Sequence, residues 1–180
     1  MAIHPFQGKQ PQLGERVMVA PESYVLGDVT IGADSSVWPG AIIRGDMHEI
    51  RIGMRTSVQD GVVLHITHAS DYNPGGHPLH IGNDVTIGHQ ACLHGCTIGN
   101  EVLIGIGATV LDGAVVEDQV IIAAGTLVPP GKRLESGYMY KGSPAQAARP
   151  LSEKERRYFR YTAGNYVKLK DSYLDDGLGG

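Results

Sequence analysis

The sequence has little of what marks a secreted, membrane-spanning or nucleic-acid-binding protein. Its two cysteines, Cys92 and Cys96, are too few for a disulfide framework. No apolar run is as long as a membrane span, and the N-terminus lacks a signal-peptide pattern. The formal net charge of -4 provides no basic surface for nucleic acids or anionic lipids. We therefore expect a cytoplasmic protein that binds neither nucleic acid nor membrane.

Glycine and proline are abundant instead, with 25 and 10 residues, as in folds that turn every few residues. Between residues 81 and 128 the chain reads in units of six, each opened by an aliphatic residue: Ile81, Ile87, Leu93, Ile98, Ile104, Val110, Val116, Ile122 and Val128. A period of six is not helical, and it is three times the strand period of two. The pattern predicts an all-β solenoid, a parallel β-helix of hexapeptide repeats in which each unit is one strand and one turn.

The rest of the chain extends this repeat and then ends it. Residues 1–150 should form the solenoid domain, which starts with an irregular leader at residues 1–18 and has its first repeat unit at Val19. Residues 151–180 should form a C-terminal helix, capped by Ser152 with Glu155 in a capping box. Three- and four-residue spacings predict that one helix face packs on the solenoid: Tyr158, Thr162, Asn165, Tyr166, Leu169 and Tyr173.

The repeat is interrupted three times. It slips by three residues between Ile43 and Ile52, accepts an exposed insertion from about residue 67 to 80, and drops one residue between Leu93 and Ile98. Each interruption lies beside unusual polar residues: Arg44, Asp46, His48, His65, His68, His89 and His94. Local rules are expected to fail at functional sites, so these residues are the candidates for function.

Three motifs give the chain a family resemblance. The segments Arg44-Gly45-Asp46, Gln59-Asp60 with Leu64-His65, and the stretch from His89 to His94 resemble gamma-class carbonic anhydrases and their hexapeptide-repeat relatives. Some of those relatives are labelled ferripyochelin-binding proteins. The resemblance implies a left-handed β-helix with three units per coil, assembled as a homotrimer with metal sites at the subunit interfaces.

With three units per coil, the sequence count places the histidines. Counted from Val19, His65 and His94 occupy the second place of units eight and eleven, so they should lie on neighbouring coils about 4.8 Å apart. His89 lies on the preceding side, and the family implies that a neighbouring subunit supplies it. Three imidazoles are the ligands of a catalytic zinc site with one open position. Zn²⁺ is therefore the expected cofactor, although Fe²⁺ or Co²⁺ would also suit such ligands.

The resemblance also implies roles around the metal. Gln59 would hydrogen-bond the metal-bound solvent, and Arg44 and Asp60 would form an ion pair between subunits, with Asp46 in the same interfacial group. Arg44, Asp46 and Asp60 could instead be catalytic, but charged residues at the edge of a unit more often pair across an interface, so the structural role is favoured and the catalytic role stays open. The substrate would be carbon dioxide, hydrated to bicarbonate by zinc-bound hydroxide.

The chain departs from the family at two glutamates that assist catalysis and proton transfer. Met47 and His68 stand at those positions. Met47 cannot carry a proton, whereas an imidazole with a pKa of about 6.5 can. We therefore assign proton export to His68 or His48 and expect slow or undetectable hydration.

Less specific interpretations stay open beside this one. A CoA-dependent acyltransferase or thioesterase could use the same scaffold, and so could a metal-bound trimer without turnover. Cys92 and Cys96 are expected to be small buried side chains rather than metal ligands. Trp38 should serve packing, and the remaining histidines should lie on the surface: His4, His77 and His80.

Overall fold

The computed structural model describes residues 2–179. Twenty strands and one helix are formed within that range. They are β1 (Ile3–His4), β2 (Gln12–Leu13), β3 (Met18–Val19), β4 (Tyr24–Ile31), β5 (Ser36–Val37), β6 (Ile42–Ile52), β7 (Ser57–Val58), β8 (Val63–His65), β9 (Leu79–Ile81), β10 (Thr86–Ile87), β11 (Cys92–His94), β12 (Thr97–Ile98), β13 (Leu103–Ile104), β14 (Thr109–Val110), β15 (Val115–Val116), β16 (Ile121–Ile122), β17 (Leu127–Val128), β18 (Arg133–Leu134), β19 (Tyr138–Lys141), β20 (Gln146–Pro150) and α1 (Glu153–Asp175).

The strands wind as a left-handed parallel β-helix with three faces, which confirms the predicted fold class. Face A contains β8, β11, β14 and β17, face B contains β9, β12, β15 and β18, and face C contains β3, β5, β7, β10, β13, β16 and β19. Residues three units apart are in register, as in the ladder of Leu64, Leu93, Val110 and Val128. All four side chains are fully buried, because the first residue of each unit points into the core.

Faces A and B join into one sheet at their common edge, here called the AB corner. The long strands β4 and β6 continue around this corner without a break. They pass so closely that a Cβ on Gly27, whose φ is +82°, would lie 2.4 Å from the carbonyl oxygen of Gly45. All three interruptions of the repeat fall at the AB corner, at residues 44–49, in the insertion after β8, and between β11 and β12.

The expectation of an irregular leader is wrong. Within residues 1–18, β1 pairs in parallel with Val25–Leu26, and β2 pairs with Thr30–Ile31. The prolines of this segment lie between the strands, where no ladder hydrogen bond is required of them. The leader therefore closes the N-terminal end of the solenoid with a partial coil.

Helix α1 packs on face C and begins with the predicted capping box between Ser152 and Glu155. Trp38 lies beneath it, buried, and its ring meets that of Tyr173 edge-on at a centroid distance of 5.1 Å. The predicted packing face is partly wrong, since Tyr158, Asn165 and Leu169 are exposed. Thr162 is buried as predicted, and the other buried side chains each follow a predicted position by one residue: Phe159, Ala163 and Lys170. Among residues 2–179, no helix is long and apolar enough to cross a membrane.

Candidate metal site

The two histidines predicted to stack lie side by side on face A. His65 ends β8 and His94 ends β11, and the two residues are paired in register. Nδ1 of His65 lies 3.1 Å from Nε2 of His94. Two nitrogen ligands of a tetrahedral zinc ion, each about 2.0–2.1 Å from the metal, are separated by roughly 3.3 Å. The spacing of these two nitrogens therefore fits one shared metal ion.

The outer nitrogen of each imidazole contacts a carboxylate. His65 Nε2 lies 3.1 Å from Asp46 Oδ1, and His94 Nδ1 lies 2.7 Å from Asp112 Oδ1. A carboxylate accepts a hydrogen bond, so it draws the imidazole proton to the outer nitrogen. The inner nitrogens then face each other as lone pairs, which a shared cation would satisfy. Carboxylates beyond metal-binding histidines act in the same way at many metal sites.

The surroundings of His65 favour its neutral form, which is the form that binds metals. Burial lowers the pKa of His65, and the hydrogen bond from its ring to Asp46 offsets this only in part. Burial alone would raise the pKa of Asp46, but His65 and the adjacent Arg44 guanidinium together lower it. The imidazole is thus neutral and the carboxylate charged near neutral pH.

His89 lies at the opposite edge of face A from His94. It precedes β11, His94 ends that strand, and the strand lies between them. Its Nδ1 is 2.9 Å from Asp60 Oδ2, and its backbone N–H donates to Gln59 Oε1 at 3.2 Å. Within residues 2–179 of a single chain, no three His, Cys, Asp or Glu side chains are grouped closely enough to hold a metal ion.

Arg44, Asp46 and Asp60, which the resemblance places at a subunit interface, each have a partner within the single chain. Arg44 binds Asp46, while Asp60 binds His89, so these pairs are separate. An ion pair between Arg44 and Asp60 would require a second subunit and stays a prediction. Both Arg44 and Asp60 are about half exposed in the single chain, at 42% and 51% of their side-chain surface.

Of the two proposed proton carriers, His48 lies at the AB corner, two residues after Asp46. His48 Nε2 lies 3.3 Å from the Gly75 carbonyl of the insertion, and Nδ1 accepts the Glu49 backbone N–H. A cleft of about 430 Å³ is lined by His48, Asp46 and Met47 together with leader residues. His68 is exposed on the insertion. Their part in proton export stays a prediction.

Comparison with known proteins places this geometry in a family. The family model for the bacterial transferase hexapeptide, six repeats, matches residues 10–45 and 95–130. The protein YrdA of Escherichia coli is 57% identical over 97% of this chain and 95% of its own length. Gamma carbonic anhydrase 1, mitochondrial, of Arabidopsis thaliana is 42% identical over 92% of this chain. The chain belongs to the gamma-carbonic-anhydrase-like hexapeptide-repeat family.

Other members of this family carry different names. A hexapeptide transferase family protein from Anaplasma phagocytophilum has a solved structure with a TM-score of 0.87 and 36% identity, covering 96% of this chain and 98% of its own. The chain spans 60% of the length of the Arabidopsis relative. Membership in the gamma-carbonic-anhydrase-like family therefore establishes the fold but does not by itself identify the reaction.

The sequence did not reveal every residue around the site. Asp112 was missed because it lies in a regular stretch of the repeat, and only the stacking of coils brings it to His94. The expectation that Cys92 is buried is wrong, since its side chain points outward from face A and is only partly buried. Cys96 is buried as expected, and burial raises the pKa of its thiol.

Proposed function

We propose that three copies of this chain form a cytoplasmic trimer that binds one zinc ion at each subunit interface. His65 and His94 of one subunit and His89 of the next would be the ligands. The site would hydrate carbon dioxide to bicarbonate slowly, and Fe²⁺ or Co²⁺ would be alternative metals.

The observation that carries the proposal is the pair of facing imidazole nitrogens 3.1 Å apart. Their outer nitrogens contact Asp46 and Asp112, and with the imidazole protons on those outer nitrogens both inner nitrogens would be available to one metal ion. Two imidazoles alone make an incomplete zinc site, because catalytic sites have three protein ligands. His89 is the histidine at the other edge of the same face, so a second subunit could supply it without any rearrangement of the fold.

The chemistry of face A supports an interface there. Face C is covered by α1, and the outward side chains of face B include Thr30, Arg51 and Arg133. Face A instead presents an outward row of mostly apolar side chains that are exposed or only partly buried within the described residues: Tyr24, Ile42, Val63, Cys92, Thr109 and Leu127. The first three are exposed although large and apolar. An apolar row between two half-sites is what a subunit interface would bury.

The chain's own residues would then act on the substrate as follows. Zinc, when bound, acidifies a water molecule to a pKa of about 7 and so supplies the nucleophile. Gln59 is 5% exposed, its Oε1 accepts the His89 N–H, and its side chain also hydrogen-bonds Tyr166, so its amide is held beside His89, where it would orient an oxygen. Met47 is half exposed beside the site and carries no proton, which leaves His48 and His68 for proton export.

The names of family members suggest a second candidate function. The Anaplasma relative is called a hexapeptide transferase family protein, so a CoA-dependent acyltransferase or thioesterase is the alternative. Such an enzyme would not need the two facing imidazoles or their carboxylates. A metal-bound trimer without turnover is the other alternative, because both family glutamates are replaced.

Metal analysis and two assays distinguish these functions. Protein purified without chelator should contain about one zinc, iron or cobalt ion per subunit, and His65→Ala should contain none. Metal with measurable hydration supports the proposal, and metal without hydration supports the non-catalytic trimer. Hydrolysis of acetyl-CoA by metal-free protein would contradict the proposal and favour the thioesterase.

A further inference from the structure

The insertion between β8 and β9 reaches back to His94 through two side chains. The Thr67 hydroxyl donates to Asp112 Oδ2 at 3.0 Å, while Asp112 Oδ1 accepts from His94 Nδ1 at 2.7 Å. Each carboxylate oxygen of Asp112 is thus committed to one partner. A carboxylate fixed at both oxygens cannot rotate, so the direction of the His94 ring is fixed as well.

The position of Thr67 is itself secured by the insertion. The Thr67 N–H donates to the His77 carbonyl at 3.0 Å, and the His77 N–H donates to the Thr67 carbonyl at 2.8 Å. These two bonds close the base of the insertion. Neighbouring coils make room for it with glycines, since a Cβ on Gly95 would lie 2.7 Å from His77 Cβ, and one on Gly113 would lie 3.2 Å from His77 Cε1.

The close approach of Asp112 also depends on Gly95. A Cβ at that position would lie 2.3 Å from Asp112 Oδ1, and the φ of +53° is one that side chains rarely adopt. The repeat is one residue short between Leu93 and Ile98, and this shortened corner contains Gly95. The glycine leaves the space through which the Asp112 carboxylate reaches His94.

We infer that Asp112 is a positioning residue for His94, and that the insertion serves to hold Asp112 through Thr67. Asp112 keeps the proton of His94 on Nδ1 and directs Nε2 at His65, so the metal-binding nitrogen is set before the metal arrives. This inference rests on the proposed metal site. It gives the insertion a function that requires no contact with the substrate.

Two sets of variants in the full-length protein test the inference, with Co²⁺ as the probe. Asp112→Ala removes the acceptor, and we expect Co²⁺ affinity to fall by about 10- to 100-fold. Thr67→Val removes only the hydroxyl and should lower affinity by about 2- to 10-fold, whereas Thr67→Ser should restore it. Asp118→Ala is the matched control, because Asp118 accepts a backbone N–H at another corner and touches no histidine.

Visible absorption of bound Co²⁺ measures the affinity, and thermal unfolding checks that each variant is folded. Long-range ¹H–¹⁵N spectra of histidine-labelled, metal-free protein measure where His94 holds its proton. We expect the proton on Nδ1 in the parent and a mixture of both forms in Asp112→Ala. These spectra test Asp112 even if the parent binds no Co²⁺, which would by itself overturn only the proposed function.

The inference is overturned if Asp112→Ala keeps the proton of His94 on Nδ1. Given a parent protein that binds Co²⁺, it is also overturned if Asp112→Ala binds Co²⁺ as tightly as Asp118→Ala. Equal Co²⁺ affinities for Thr67→Val and Thr67→Ser would overturn the role of the insertion, because they would show that the Thr67 hydroxyl does not help Asp112 to position His94.

Discussion

Replacing Asp171 by asparagine should destabilise the C-terminal helix by leaving a buried charge without its main partner. Lys170 is a fully buried residue of α1 on its solenoid-facing side, and its Nζ lies 2.5 Å from Asp171 Oδ1 and 3.2 Å from Asp34 Oδ1. Asp171 also forms an ion pair with Arg16, whose Nη2 lies 2.7 Å from Asp171 Oδ1, and this pair connects the helix to the first coils of the solenoid. The change Asp171→Asn keeps the shape of the side chain and removes its charge.

The magnitude follows from what remains around the ammonium group. Breaking a fully buried ion pair costs roughly 3–5 kcal/mol, because the surviving charge is left unpaired. Asp34 still faces Lys170 and is 40% exposed, so water and one carboxylate continue to stabilise the charge. We therefore expect Asp171→Asn to lower the free energy of unfolding by about 2–3 kcal/mol at pH 7. Adding Lys170→Met should recover part of the loss, since no buried charge then remains.

The same contact predicts a pH dependence with a definite sign. Hydrogen bonds from Lys170 and Arg16 lower the pKa of Asp171 below 3.8, so the folded protein holds this proton less tightly than the unfolded chain. Its contribution to stability is therefore complete above about pH 5 and is lost as the pH falls through the folded pKa. Urea unfolding at fixed protein concentration should show the difference between parent and Asp171→Asn shrinking below pH 4. A difference under about 0.5 kcal/mol at pH 7 would refute the reasoning, because surface changes have effects of that size.

Three further predictions concern the site and the interface. Val63→Asp, a charge in the apolar row of face A, should dissociate the trimer in sedimentation while the monomer keeps its secondary structure; an unchanged trimer would place the interface elsewhere. Gly95→Ala should weaken Co²⁺ binding at least tenfold because its Cβ would collide with the Asp112 carboxylate. Gly107→Ala is the control, because Gly107 has a similar φ of +64° but nothing within 4 Å of the added Cβ. This control should lower stability by only about 1 kcal/mol. Met47→Glu should raise the hydration rate and make it less dependent on imidazole buffer, and an unchanged rate would mean that proton export is not limiting.

The solenoid and its stacking could be read from the sequence because both depend on one short-range periodicity. Once three units make a coil, residues such as Leu64 and Leu93 must be neighbours, whatever separates them along the chain. The insertion after His65 does not disturb this register, since it leaves and re-enters at the AB corner.

Contacts that depend on which direction a side chain takes could not be read in this way. Asp112 and Thr67 meet at His94 from a neighbouring coil and from an insertion, and neither has a place in the repeat that indicates it. The helix face was only partly predicted: Tyr166 and Tyr173 pack on Trp38, but Leu169 is exposed and the neighbouring Lys170 is buried, because its ammonium group finds carboxylates that the spacing of apolar residues does not reveal. Two strands in the leader went unseen because two-residue strands leave no periodic pattern.

Complementation between two inactive variants tests the shared metal site most directly. His89→Ala and His65→Ala should each bind no zinc alone, and the two should be unfolded together in equal amounts and refolded. Each mixed trimer then contains one site with all three histidines, so random assembly should restore zinc to about a quarter of the sites. Mixed trimers that form but bind no zinc would show that one subunit supplies all the ligands, which contradicts the account.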